Sequence, residues 1–271
     1  MAKVKLLSSD LNGTLVHSHT MQEMIQWAFP NERGRLDEAA RAFGLQTRGL
    51  MSMEETFRIA GRMSEGMPLA SAIQYTMDGM RFVDGFGPFM NYLKRSSIHI
   101  AIVSTGYTVT LYAMRYLLSM KDLMFRCNRL VFADWRTGEE IHEEELEDLV
   151  KSYVERPHVR RDPLYTEIRA TGTIELGLKD ESAKASIAMD FAAELGVEIE
   201  ALAHMGDTMG DSMGILEIAR RGGMGIAFNY NEALEEFLRK FGEKEMREGR
   251  ILLVCPKSEK SDLREVIPHL G

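Results

Sequence analysis

Asp10, Asp207 and Asp211 are carboxylates placed where apolar runs stop. Asp10 ends the run from Val4 and opens the loop Leu11-Asn12-Gly13-Thr14. Asp207 follows Ala201 to Met205 in the stretch GDTMGD, with Asp211 one helical turn further on. Ser104, Thr105 and Gly106 end a third, β-branched run, Ile98 to Val103. Short apolar runs bounded by turns read as buried strands. An open parallel sheet gathers its ligands at the carboxyl ends of the strands, so these groups would share one crevice. Several carboxylates in one hard, all-oxygen pocket suit Mg²⁺, which takes one or two of them together with waters and substrate phosphate oxygens. Ser104 to Gly106 precedes a predicted helix over 107–118, whose free N–H groups would bind phosphate. Lys184 stands in the first turn of a predicted helix over 181–195, where its charge opposes the dipole unless it faces an anion. Singly these signals are weak, because strands often end in Asp and helices in Ser or Thr caps with no ligand near. Their convergence on one sheet edge is what points to a site.

The elements that must position them follow from the same punctuation. Residues 17 to about 84 carry no strand signal and read as helices over 20–29, 35–43, 52–64 and 69–80, broken at Pro30, Gly44 to Gly49, and Gly66 to Pro68. Ser52 with Glu55 fits a capping box. A helical block between two strands reads as a cap inserted over the end of the first. A helix is expected over 86–95, strands over 130–133 and 173–176, and between these an acidic helix over 139–151 and a basic loop, Arg156 to Arg161. The remainder alternates strand and helix: 201–205, 213–220, 225–228, 231–241 and 251–254, with a closing segment over 261–270. That alternation predicts an α/β, doubly wound parallel sheet.

Composition narrows the function. The chain has 271 residues, 45% of them hydrophobic and 27% charged, an ordinary globular balance. A net charge of −8 argues against nucleic acid or an anionic membrane as partner. Cys127 and Cys255 form no metal or disulfide pattern and suit a reducing compartment. The opening MAKVKLL runs directly into the first strand, too short an apolar stretch for a signal peptide or membrane span, and a cytoplasmic location is expected. The nineteen methionines sit largely in helical patterns as core filler.

DLNGTL at 10–15, VSTG at 103–106, Lys184 and GDTMGD at 206–211 resemble, in order, the motifs of the haloacid dehalogenase superfamily. The likeness is greatest to its phosphoserine phosphatase-like branch. It runs on through MSMEETFRIAGRMSEGMP, CNRL at 127–130, ESAKASIAMDFAAELG at 181–196, GDTMGDSMGILEIARRGGMGIAF at 206–228 and SDLREVIPHL. The resemblance implies a Rossmann-like core from 1–16 and 85–271, a helical cap over 17–84, and an insert at about 135–172 longer than the branch usually carries. It implies a Mg²⁺-dependent phosphatase acting on a small phosphorylated metabolite, as a monomer or homodimer. Asp10 would be the nucleophile, forming an aspartyl-phosphate. Asp207 would hold Mg²⁺ with Asp10 and the main-chain carbonyl of Asn12, and Asp211 would support that shell. Ser104, Thr105, Gly106 and Lys184 would bind the phosphoryl group.

The chain departs from the pattern at Asn12, where the family's phosphatases carry a second Asp that protonates the leaving alcohol and activates water. An amide cannot shuttle a proton at neutral pH. His17 and His19 lie near enough in sequence to supply one. The alternative reading is a catalytically impaired, phosphate-binding or regulatory protein. A carbon–halide hydrolase shares the nucleophile but has no use for clustered carboxylates. The groups that hold phosphoserine are replaced as well: His19, Ala60 and Gly210 stand where a Glu, an Arg and an Asn are expected, and Arg58 and Arg62 lie on other helix faces. Phosphoserine is therefore disfavoured as substrate.

Overall fold

A computed structural model describes residues 3–17, 19–47, 50–178, 180–258 and 260–271. Met1 and Ala2 of the opening segment lie outside it. The chain begins with β1 (Leu6–Ser9) and enters a helical block. This comprises α1 (Thr20–Ala28), α2 (Arg33–Thr47), α3 (Met53–Ser64) and α4 (Leu69–Gln74), which runs into a π-turn at Tyr75–Gly79. The expected break after Phe43 comes later, since α2 continues through Gly44; Arg48 and Gly49 lie outside the described residues. Ser52 caps α3 by accepting the Glu55 N–H at 3.1 Å, as the capping box predicts.

The chain then passes through α5 (Phe86–Arg95), β2 (His99–Tyr107), α6 (Thr108–Leu117), β3 (Met124–Asp134), α7 (Glu143–Glu155), α8 (Leu164–Glu167) and β4 (Ile168–Glu175). It closes with α9 (Lys184–Glu194), β5 (Leu202–Gly206), α10 (Ser212–Arg220), β6 (Met224–Tyr230), α11 (Glu232–Phe241), α12 (Glu243–Arg247), β7 (Ile251–Pro256) and a 3₁₀ turn at Leu263–His269. No described helix is long and apolar enough to cross a membrane.

Seven strands form one sheet in the order β4-β3-β2-β1-β5-β6-β7. All neighbours are parallel except β3 and β4. Side chains alternate across a strand, and β1 divides accordingly. Leu6 joins a cluster with Ala188 and Phe191 of α9, whereas Leu7 joins one that includes Phe89 and Leu93 of α5. Helices thus cover both faces, as a doubly wound sheet requires.

The sheet is parallel, as expected, except at one edge, where β4 pairs antiparallel with β3. The connection from β3 to β4 does not cross the sheet. Instead α7 buries Leu146, Val150 and Tyr153 alongside α6, with the Tyr153 and Tyr165 rings 4.8 Å apart, and the chain returns beside β3. The acidic helix begins at Glu143 rather than 139, because Ile141 donates its N–H to Phe132 O at 2.9 Å and keeps that stretch against β3. The basic loop is a 3₁₀ turn in which Arg160 donates to the carbonyls of Tyr153 and Val154, each at 2.9 Å, capping α7.

β4 also meets the helical block. Gly66 N–H donates to Ala170 O at 2.8 Å, and Ala170 N–H to Met67 O at 2.9 Å. A Cβ on Gly61 of α3 would stand 2.2 Å from the Gly172 carbonyl oxygen, so only glycine allows this approach.

Candidate active site

The carboxyl edge of the sheet holds a cavity of about 370 Å³. Asp10, Asn12, Thr105, Lys184 and Asp207 line it together, with Gly210. Asp10 leaves β1 with its N–H donated to Met205 O of β5 at 2.9 Å, which fixes the two central strand ends side by side. The loop behind it folds on the Leu11 carbonyl, which accepts from Thr14, Leu15 and Val16. Gly13 adopts φ +80°, and a Cβ there would fall 2.1 Å from Asp207 Oδ2. Asp207 thus packs against bare backbone, with Thr14 Oγ1 donating to its Oδ1 at 3.3 Å.

Asp211 closes the cluster from below. It is fully buried, accepts the N–H groups of Asp207 (3.1 Å) and Thr208 (3.3 Å), and completes a capping box with Thr208. Lys184, buried at the start of α9, donates to Asp211 Oδ1 at 2.6 Å and to Asp10 Oδ1 at 3.0 Å. Carboxylate oxygens of Asp10, Asp207 and Asp211 all lie within 4.8 Å of one another.

Charge crowding shifts these groups in opposite directions. Burial, then the neighbouring carboxylates, pushes Asp207 well above the usual range, and Lys257 and Lys184 only partly offset this. Burial raises Asp10 too, with Asp211 adding to it against the attraction of Lys184. Burial acts on Asp211 the same way but is outweighed by Lys184 and His204, which hold it below the usual value. Lys184 stays protonated because Asp10 and Asp211 more than compensate for its burial. Two buried carboxylates pushed upward around a shared space, with all-oxygen donors, fit a hard divalent cation.

Ser104 is fully buried, and its Oγ accepts the Gly106 N–H at 3.3 Å. Of the triplet, Thr105 faces the cavity. Asn128 braces it, donating to Thr105 O at 2.9 Å and accepting Gly177 N–H at 3.0 Å. Asn12 accepts the Thr20 N–H at 2.9 Å, capping the first turn of α1, so its carbonyl oxygen is occupied and its amide donors remain for the cavity. His17 and His19 line the cavity beside it. Burial lowers His19 to about 4, and its sealed Nδ1 has no partner among the described residues. Ala60 lies in the core, while Arg58 reaches toward Glu55 on the surface at 3.9 Å.

Phe43, Gln46, Asn231 and Lys257 also line the cavity, and sequence reasoning missed all of them. Lys257 follows β7, and its placement at the carboxyl edge was the available signal. Asn229, at φ 54°, donates to Gly13 O at 2.6 Å and accepts from Ser258 N–H and Ser261 Oγ, joining the loop after β7 to the Asp10 loop.

Among solved structures, the chain superposes on a substrate-bound phosphoserine phosphatase complex with a TM-score of 0.68 and 19% identity, covering 100% of both chains. A phospho-aspartyl intermediate analogue of phosphoserine phosphatase gives 0.66 and 20%, again over 100% of both. This is the phosphoserine phosphatase fold. A haloacid dehalogenase family hydrolase from Salmonella enterica serovar Typhi shares it at a TM-score of 0.62 and 17% identity, over 85% of this chain and 64% of that one. In sequence the chain is similar to a phosphoserine phosphatase of Archaeoglobus fulgidus, 23% identical over 232 residues. Those residues are 86% of this chain and 54% of the relative, so the chain matches about half of the relative's length. No family model matches the sequence. The resemblance read from the motifs and the phosphoserine phosphatase fold agree.

Proposed function

We propose that the protein is a phosphomonoester hydrolase, dependent on a divalent cation such as Mg²⁺, that works through an aspartyl-phosphate on Asp10. The observation that carries this reading is the contact of Lys184 with both Asp10 and Asp211 inside a buried carboxylate cluster. Asp10, Asp207 and the main-chain carbonyl of Asn12 would hold the cation, with Asp211 behind them. When bound, it neutralises the carboxylates and draws charge from the phosphoryl oxygens. An Asp10 oxygen attacks phosphorus as the bond to the alcohol oxygen breaks; water then attacks the same phosphorus and Asp10 leaves. Lys184 and the Ser104 hydroxyl stabilise charge on the transferring group. The helical block over 17–84 would act as the cap that excludes water during the first step.

The proton for the leaving alcohol distinguishes this chain. Asn12 cannot carry it, whereas His17 and His19 face the same space. The Asn12 amide also supports a second reading, a phosphate-binding protein with slow turnover. Steady phosphate release from p-nitrophenyl phosphate, with Mg²⁺ and abolished by chelation, supports a hydrolase. A single stoichiometric release of p-nitrophenol, with the phosphate retained, supports the second reading, and metal-independent turnover contradicts both.

A further inference from the structure

Beyond Asp10 and Asp207, no described residue lining the cavity is acidic. The remaining titratable groups there are Lys184, His17, His19 and Lys257. Asp10 already faces the Lys184 ammonium, and Asp207 belongs to the carboxylate cluster. A ligand amine would find no described acid outside that cluster, while a ligand anion would find Lys257.

Lys257 is exposed, yet its place is fixed from the backbone. Its N–H donates to Tyr230 O at 2.9 Å, and Ser258 N–H donates to Asn229 Oδ1 at 3.0 Å. Asn229 in turn holds Gly13 O at 2.6 Å, next to the nucleophile's loop. Its ammonium has no ion-pair partner among the described residues, and its field reaches Asp207. A loop lysine tied to the Asp10 loop, on a cavity whose only described acids belong to the carboxylate cluster, is placed to select charge.

We propose that the cavity takes phosphomonoesters whose alcohol carries a second anionic group and no amine, and that Lys257 holds that group. This rests on the phosphomonoesterase reading and names its substrate class. A cavity of about 370 Å³ suits a small metabolite. Lys257 is solvated, so its preference is modest and falls with salt.

Non-hydrolysable phosphonates test this without depending on turnover. Propylphosphonate, 3-phosphonopropionate and 3-aminopropylphosphonate differ in one terminal group and are titrated calorimetrically onto the full chain with Mg²⁺ present. At low ionic strength the carboxylate should bind more tightly than the amine by at least about threefold, the scale of an exposed charge pair on each side. In Lys257→Gln that ratio should fall toward one. 1,3-Propanediphosphonate in the same series tells whether phosphate or carboxylate fits the second position better. Equal affinities in the parent chain, or a ratio unchanged by K257Q, overturn the proposal while leaving the hydrolase reading intact. A lysine serving Asp207 alone would weaken every ligand equally. Failure of even propylphosphonate to bind would remove the hydrolase reading and this inference together.

Discussion

Lys184 and Asp211 are 2.6 Å apart at a depth where each is almost wholly shielded from water. One ammonium thereby holds Asp211 ionised and, 3.0 Å away on its other side, faces Asp10. Breaking a buried pair from one side leaves its partner charged and unsolvated, a loss of about 3–5 kcal/mol. Lys184→Met should therefore lower denaturant stability on that scale. Mg²⁺ should then stabilise the variant more than the parent chain, because a cation would offset the stranded carboxylates. Chemical denaturation with and without Mg²⁺ checks both, and a variant of parental stability would contradict the pairing.

Burial, the largest cause in each, raises both Asp10 and Asp207 from the ordinary carboxyl value, Asp207 well above it. A raised carboxyl contributes stability below its unfolded value, near 3.8, and loses it as pH climbs through the folded value. The metal-free protein should lose that contribution as pH climbs from acid toward neutrality. Mg²⁺ competes with the same protons, so its stabilising effect should grow with pH. Melting temperatures measured between pH 5 and 8, with and without Mg²⁺, test this; a Mg²⁺ shift independent of pH would contradict it.

Asn12→Asp restores a group able to carry a proton at the cavity. If proton transfer limits turnover, kcat for a poor leaving group should rise by about 10²- to 10⁴-fold, the usual worth of general acid–base help. Comparing an alkyl phosphate with p-nitrophenyl phosphate separates the cases, since the nitrophenolate needs little protonation. No gain on the alkyl ester would show that a proton carrier at this position does not limit turnover.

Gly61 and Gly172 bring α3 and β4 into backbone contact. Gly61→Val should force them apart and destabilise the fold by about 1–3 kcal/mol, as overpacking does. Equilibrium unfolding reads this, and a neutral effect would show that the contact yields without cost.

Much of the fold could be read from punctuation. The strands ending at Asp10 and Asp207, the Ser52 cap and the helix over 86–95 all carry local signals that tertiary packing leaves in place. The stretch between Trp135 and Gly172 was harder. Its antiparallel strand and late helix start depend on pairing with β3 and packing on α6, which leave no local trace. The carboxylates, Thr105 and Lys184 were legible because strand ends share an edge. Lys257 and Asn229 were not, because a loop residue shows its direction only once the sheet order is known. The Gly106 N–H, expected to face phosphate, is instead engaged by Ser104, a detail of the turn that residue types do not encode.

The most direct test is chemical identification of the residue that becomes phosphorylated. The protein is mixed with Mg²⁺ and p-nitrophenyl phosphate, quenched in acid within the first turnover, and its peptides are weighed by mass spectrometry. One phosphoryl group on Asp10, absent from Asp10→Asn along with all turnover, is the predicted result. Turnover with Asp10 unmodified, or retained in Asp10→Asn, would contradict an aspartyl-phosphate mechanism in this protein.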